Sequence, residues 1–452
     1  MQDLNGKNIK YSVIIPAVNE EYYLHSCIKS ILKEFPGAEI IVVDGGSTDN
    51  TAGIAEKLGA VVLKSVPNRG IQMNLGATAS SGDVLIFLHA DSVLTAGCGQ
   101  ETNLFFADFT NNAAMFNIRF DIENYLLIFF SSLTRINSVF TKFGDSGLII
   151  RKSVFSDCNM FPEWQVFEDV YFLKKLRKKT DVKIFNSTLI TSSRRFITTG
   201  VLKNQLLNIR LYIKYLTGKS IPEIAGKYQS LKYRFTDAVI VFAKYPQPGK
   251  VKTRLAKDTD NSFALKFYKL CAENTFSVCR KLPDKNLVRI IFYPDEKYRR
   301  AVMKWGGRKF FISPQNGDSL GERMSSAFRL LFGARFRKVI IIGTDNPALN
   351  VDILNNAFQV LDEKDIVIGP SNDGGYYLLG MTKFYQQLFD NIQWSSESVM
   401  RRTLVKISDL GLSVGVLNTL TDIDTIEDIK EIISSDSEKI PQRLLMLMKS
   451  VV

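Results

Sequence analysis

The apolar and polar positions of the first half of the chain alternate between two periods. Short unbroken apolar runs, Tyr11 to Pro16 (YSVIIP), Glu39 to Val43 (EIIVV), Val61 to Leu63 and Val84 to Leu88 (VLIFL), read as buried strands. Between them, Glu20 to Glu34 and Thr51 to Leu58 carry the spacing of helices. Strands that are apolar throughout and separated by helices predict a mostly parallel sheet covered on both faces. Residues 203–219 (KNQLLNIRLYIKYLTGK) predict a helix with Leu, Ile and Tyr on one side and Lys or Arg on the other. Polar residues 227–237 carry no period and read as a linker. The strand pattern restarts at Ala238 (AVIVFAK) and recurs at Leu287 to Tyr293, Lys338 to Ile342 and Asp365 to Ile368. The halves share an order of elements without visible repetition of sequence, which predicts two α/β domains, residues 1–230 and 231–452.

Composition narrows this picture. A chain of 452 residues is too long for one ordinary core, and 45% apolar with 23% charged residues is the balance of a folded protein. Five scattered cysteines without a C-x-x-C pair argue against a disulfide framework and for a reducing cytoplasm. Two histidines, His25 and His89, leave no multi-histidine zinc site to build. The net charge of +12 comes without a helix-turn-helix, zinc-finger or RNP signature, so nucleic acid is not the expected partner. Anionic nucleotide-sugars and anionic membrane lipids remain, beside a merely solvated basic surface. The polar start MQDLNGKNIK is no signal peptide. The most apolar stretch, Tyr125 to Phe143, is interrupted by Arg135, Asn137 and Lys142. It falls short of the roughly 20 apolar residues of a membrane span. It suits an amphipathic helix, either buried or lying at the inner face of a membrane.

Candidate chemistry gathers in the loops that follow the strands, where parallel sheets place their ligands. The first loop is Pro16-Ala17-Val18-Asn19-Glu20. The second runs from Asp44 through Gly45, Gly46, Ser47, Thr48 and Asp49 to Thr51, an acid leaving a strand before a glycine turn and a helix cap. Such an acid can accept from a ribose or a base edge, or simply close a capped turn. The third is His89-Ala90-Asp91-Ser92, where a carboxylate at a buried strand end needs a partner such as a divalent cation on a diphosphate. Glu168-Asp169 reads either as a general base with its neighbour or as acids complementing a helix dipole.

PAVNEE, VVDGGSTDNT, RGIQMN (Arg69 to Asn74) and FLHADS, in this order, resemble inverting family 2 glycosyltransferases of the GT-A fold. The likeness is greatest to the subgroup associated with arsenosugar biosynthesis and radical-SAM/selenodomain gene neighbourhoods. It continues through Phe143 to Gly147 (FGDSG), Phe167 to Val170 (FEDV) and Ser193-Arg194-Arg195, covering roughly residues 10–230. The resemblance implies that Pro16, Glu20 and Asp44 line a nucleotide pocket with Arg69 nearby, and that Asp91 binds Mg²⁺ or Mn²⁺. It further implies Asp169 as general base, with Glu168 and Asp145 in the catalytic set. His89 stands where many family members carry an acid, which makes metal dependence less secure.

In the second half, Phe242 to Leu255 (FAKYPQPGKVKTRL) packs four cations and a Pro-Gly turn between strand and helix. Lys244, Lys252 and Arg254 could hold phosphates there, or the loop could be simply solvated. It is no P-loop. Asp345 ends a buried strand, and Asp422 and Asp424, two apart, could share a cation with it. With GDSLGERM (317–324) and DGGYY (373–377), this half resembles the companion transferase of the same gene neighbourhoods, DUF2064. That family is close to the 2-phospholactate guanylyltransferases and more distantly resembles molybdenum-cofactor guanylyltransferases. Asn346 stands where relatives often carry Cys. The resemblance leaves two chemistries open, a second sugar transfer or a nucleotidyl transfer that makes the activated donor. A non-catalytic scaffold module is the alternative of another class. A dinucleotide oxidoreductase is set aside, since no G-x-G-x-x-G follows the first strand of either half. The fold class expected is two tandem GT-A-like domains, each a mostly parallel sheet flanked by helices.

Overall fold

The computed structural model describes residues 9–136, 146–229, 235–394, 396–435 and 437–452. The chain divides into two compact units, Met1–Lys232 and Tyr233–Val452. The first holds strands β1 (Tyr11–Ala17), β2 (Glu39–Asp44), β3 (Val61–Lys64), β4 (Val84–Phe87), β5 (Val93–Leu94), β6 (Ala113–Phe120), β7 (Leu148–Arg151) and β8 (Val182–Thr191). They form one sheet in the order β3-β2-β1-β4-β7-β6-β8-β5, with β7 and β5 running against the others. Alternate residues of each central strand serve opposite cores. Val13, Ile15, Val42 and Ile86 face one cluster, while Ile14, Ile41, Val43 and Leu85 face the other. Both faces are therefore dry, which is why these strands read as unbroken apolar runs.

The second unit holds β9 (Asp237–Phe242), β10 (Leu287–Tyr293), β11 (Phe311–Pro314), β12 (Lys338–Ile342), β13 (Ile366–Pro370), β14 (Tyr376–Met381) and β15 (Val414–Val416). Their order is β11-β10-β9-β12-β14-β13-β15, with β14 reversed. Each unit thus repeats one plan: four parallel strands in the order third, second, first, fourth, then a reversed strand, then two strands parallel to the first four, to which the first unit adds the reversed β5 at its edge. This is the mixed α/β architecture expected, with helices flanking both sheets.

Local departures from the expected elements have physical causes. The helix expected from Glu20 begins at Leu24, because Asn19 lies in the left-handed region (φ 55°) and the following turn is held by side chains of another loop. The helix expected over 203–219 spans Val201–Leu216. The expected linker overlaps the last turn of the helix Ile221–Gln229 and the first residue of β9. Of the apolar stretch Tyr125 to Phe143, Tyr125–Leu133 is helical and residues 137–143 lie outside the described residues. No helix among the described residues is long and apolar enough to cross a membrane. All five cysteines are buried and none forms a disulfide.

The helix Arg69–Ala79 docks where the chain runs through residues 161–164. Asn74 and Phe161 exchange two hydrogen bonds (2.8 and 3.0 Å), and Asn68 donates to the Glu163 carbonyl (3.2 Å). A Cβ at Gly70 would stand 2.2 Å from the Pro162 carbonyl oxygen. In an open helix, alanine is worth about 1 kcal/mol over glycine. Here the clash reverses the sign, and Gly70→Ala is expected to cost about 1–3 kcal/mol. The measurement is the thermal midpoint, and a variant melting above the wild type would contradict this contact.

Candidate functional site

In the first unit the loop after β1 is gripped by the loop after β2. The backbone N–H groups of Asn19, Glu20 and Glu21 donate to Ser47 Oγ (2.9 Å), Thr51 Oγ1 (2.8 Å) and Asp49 Oδ2 (3.2 Å). Asp44 is buried, and its Oδ1 accepts from the N–H (3.0 Å) and hydroxyl (2.5 Å) of Ser47. Pro16 lies within β1, opposite Val43. Beneath these loops, the Gln72 amide donates to the carbonyls of Ala17 (3.1 Å) and Val43 (2.8 Å), fixing the ends of both strands. The glycosyltransferase-like strings VNEE, DGGSTDNT and RGIQMN are therefore a single interlocked scaffold.

Arg194, to which the sequence assigned no role, is the centre of this end of the sheet. Its guanidinium makes a two-pronged ion pair with Glu20 (2.8 and 2.6 Å), reaches Asp91 Oδ2 at 3.3 Å, and lies 5.0 Å from the centroid of the Tyr23 ring. Burial alone would lower the pKa of Arg194, but the charges of Asp91 and Glu20 outweigh it and hold the guanidinium protonated. Burial pushes the Glu20 carboxyl up, against the hydrogen bonds from Arg194. Asp121, just past β6, also escaped the sequence analysis. It positions the turn before Arg194 by accepting from the N–H (2.8 Å) and hydroxyl (2.6 Å) of Ser193, and burial pushes its pKa up to about 6. The Ser-Arg pair directly after a strand was the available signal.

Arg69, His89, Glu168 and Asp169 line a common pocket, floored by Phe87, Leu148 and Phe161. Arg69 Nη1 stands 3.5 Å from Glu168 Oε1, and Glu168 is fully buried. Phe167 precedes the pair at φ 63°, a conformation disfavoured for a bulky residue, and starts the helix Glu168–Leu176 with both acids in its first turn. Asp145 lies outside the described residues. For a metal, Asp91 offers one carboxylate, already paired with Arg194, and no group of three or more His, Cys, Asp or Glu among the described residues is arranged to hold an ion.

In the second unit, one wide groove is lined by Lys244, Arg254, Arg323, Asp345, Asp422 and Asp424, among others. Lys252, expected to face phosphates, stands among the three aspartates expected to share a metal. The Lys252 ammonium itself joins two of them, 2.7 Å from Asp345 Oδ1 and 2.9 Å from Asp424 Oδ1, with its side chain only 4% exposed. A buried ammonium is costly unless carboxylates surround it, and this pairing outweighs the desolvation and keeps Lys252 charged. Lys252 also sits at φ 45°, held there by its surroundings. Arg254 approaches Asp424 at 3.7 Å from solvent, while Lys244 is exposed and its backbone is clasped by the Tyr268 hydroxyl. Asn346 is structural: its amide donates to the Thr421 carbonyl (3.1 Å) and Asp422 (3.4 Å), binding the two aspartate loops together. In GDSLGERM, Ser319 and Glu322 form a capping box that starts the helix Leu320–Gly333.

Asp422 is part-buried, and desolvation, then the charge of Asp345, pushes its pKa from 3.8 up to about 7. The folded chain therefore keeps a proton that the unfolded chain releases, so this group's contribution to stability falls as pH rises from about 4 to about 7. Asp422→Asn removes that dependence. Its stability relative to the wild type should rise across this window and level off above it, by about 1.4 kcal/mol for each unit of displaced pKa. Denaturant midpoints at pH 5 and pH 8 check this, and an equal difference at both would show that Asp422 stays ionised.

Residues 12–162 match the family model described as "Glycosyl transferase family 2". Residues 278–396 match the model described as "Uncharacterized protein conserved in bacteria (DUF2064)". A 4,4'-diaponeurosporenoate glycosyltransferase of Staphylococcus haemolyticus is 41% identical over 88 residues, 18% of this chain and 24% of that protein. A PGL/p-HBAD biosynthesis glycosyltransferase of Mycobacterium bovis is 37% identical over 92 residues, 19% of this chain and 36% of that protein. The chain thus spans about a quarter to a third of the length of these curated relatives. Among solved structures, a Desulfovibrio desulfuricans G20 protein described as a nucleotide-diphospho-sugar transferase is 28% identical. That match covers 48% of this chain and 98% of the other, with a TM-score of 0.44. The chain carries a family 2 glycosyl transferase domain in its N-terminal half and a DUF2064 domain in its C-terminal half.

Proposed function

We propose that the N-terminal domain transfers a sugar, with inversion, from a nucleoside-diphosphate-sugar to an acceptor hydroxyl. The observation that carries this reading is the convergence of Arg69, His89, Glu168 and Asp169 around one small cavity of about 20 Å³ at the strand ends. The glycosyl transferase match and the glycosyltransferase names of the relatives support it. Asp169 takes the acceptor's proton as the hydroxyl oxygen attacks the anomeric carbon, and the bond to the diphosphate breaks with its electron pair leaving on phosphate. Arg69 holds Glu168 and places positive charge beside the pocket. Asp91 would hold Mg²⁺ or Mn²⁺, which when bound offsets the charge growing on the diphosphate. The narrower likeness to the arsenosugar and radical-SAM/selenodomain subgroup, and peripheral contact with an inner membrane face, belong to this proposal.

Asp169→Asn should lower transfer by about 10²–10⁴ while nucleotide affinity stays near that of the wild type. Product mass spectrometry and calorimetry with UDP and GDP read the two effects. Near-normal turnover would remove Asp169 from the mechanism.

For the C-terminal domain we propose a nucleotide-dependent transferase site, on the strength of the cations that share its groove with the aspartates. Lys244→Ala with Arg254→Ala should weaken nucleotide binding, since both are exposed and neither is saturated by the buried pairs. In the Asp169→Asn background, pyrophosphate release from a nucleoside triphosphate and a sugar phosphate would mark nucleotidyl transfer. Nucleoside diphosphate release from a nucleotide-sugar would mark a second glycosyl transfer. Unchanged nucleotide binding in the double variant would refute this phosphate site.

A further inference from the structure

The helix Val201–Leu216 buries Val201, Asn204 and Leu211, yet leaves a second line of apolar side chains in water. Leu202, Leu206, Ile209, Ile213 and Leu216 are each 53 to 57% exposed. Their spacing of four, three, four and three residues puts them on one continuous stripe along the helix. Scattered exposed leucines need no explanation, but five in line on a 16-residue helix mark a surface that something covers.

The charges beside the stripe identify what covers it. Lys203, Arg210 and Lys214 lie within the helix and Lys219 just beyond it, and no Asp or Glu occurs from Val201 through Pro222. Glu223, the first acid after it, is paired with Lys214 (3.2 Å) and Lys227 (3.4 Å). A second copy packed along the same stripe would set cation against cation with no acid on either helix to relieve them. A layer of anionic headgroups would meet the cations with opposite charge while the acyl region took up the leucines and isoleucines.

We propose that the helix Val201–Leu216 lies in the plane of an anionic bilayer surface, its apolar stripe in the acyl boundary and its cations among the headgroups. This deepens the membrane contact proposed above and rests on that reading for the choice of surface, not on the transfer chemistry. The same helix reaches the site from its other edge. The ring of Tyr215 lies 5.1 Å and that of Tyr212 lies 6.2 Å from the ring of Phe167, the residue directly before Glu168 and Asp169. Tyr215 also lies 6.4 Å from Trp164. A docked helix therefore holds the transfer pocket next to the bilayer surface, where an acceptor hydroxyl carried by an amphiphile would be presented.

The test is flotation of the full chain with vesicles of phosphatidylcholine and phosphatidylglycerol, against phosphatidylcholine alone, at low and high salt. The wild type should float with the mixed vesicles at low salt and lose most binding at high salt or on neutral vesicles. The triple variant Leu206→Glu, Ile209→Glu, Ile213→Glu changes only exposed positions of the helix and should bind at least about tenfold less. Lys203→Gln with Arg210→Gln should bind less by about fivefold per cation removed. Wild type that does not float, or a triple variant that floats equally well, overturns the proposal. So does a wild-type dimer in gel filtration that the triple variant converts to monomer, since the stripe would then be covered by a second copy. Flotation needs neither donor nor acceptor, so a failed transfer assay and a failed flotation remain separate results.

Discussion

Carboxylates gathered at the ends of parallel strands repel one another and lose their hydration, so they stay in place only if a cation stands among them. Both units meet this constraint with a side chain of their own. In the first, the Arg194 guanidinium joins Glu20 to Asp91; in the second, the Lys252 ammonium joins Asp345 to Asp424. Removing Arg194 would leave the largely buried Glu20 and Asp91 without compensation, a larger loss than a surface ion pair, whereas the acids that Lys252 joins are half exposed and Asp424 keeps Arg254 nearby. The geometry of each candidate site follows from where its cation can reach. The planar fork of arginine spans two loops at once, while the ammonium of lysine sits as a point charge between two oxygens.

Around these ion pairs, the loops are held by polar side chains that satisfy backbone groups of other loops. Gln72, Asn74, Ser47 and Thr51 do this in the first unit, and Tyr268 and Asn346 in the second. Loops that carry a site have few ladder hydrogen bonds of their own, so borrowed donors and acceptors supply the rigidity that strands obtain from pairing. In the first unit, residues that resemble binding motifs are to a large extent this scaffold. Asn68, Gln72 and Asn74 of the stretch around RGIQMN spend their amides on carbonyls and a backbone N–H, which leaves Arg69 and Met73 as the members of the stretch that line the pocket.

A shared topology does not impose a shared site. Both sheets run third, second, first, fourth strand before a reversed one, and both carry an acid beyond the fourth strand, Asp91 or Asp345. Yet the first adds the buried Glu168 and the part-buried Asp169 on a helix that follows Phe167 at φ 63°, and the second adds Asp422, whose pKa desolvation raises, near acids joined by an ammonium. The fold supplies the strand ends, and the loops decide the chemistry.

The sequence by itself determined the α/β class, the first four strands of one sheet, four of the seven strands of the other and the loops that carry acids, because a strand buried on both faces must be apolar throughout and a site on a parallel sheet must follow a strand. It also marked Glu168-Asp169 and Asp91 as candidates. What it could not show is which charge meets which. Arg194 and Glu20 lie 174 residues apart, and Lys252 and Asp424 lie 172 apart. No period or spacing encodes a contact of that range; only the closing of the sheet brings the partners together. That closure set Lys252 between two aspartates and gave Arg194 and Asp121 contacts that local sequence did not assign. It also left one edge of the helix Val201–Leu216 in water, since which side of an amphipathic helix is buried depends on what the tertiary fold sets against it.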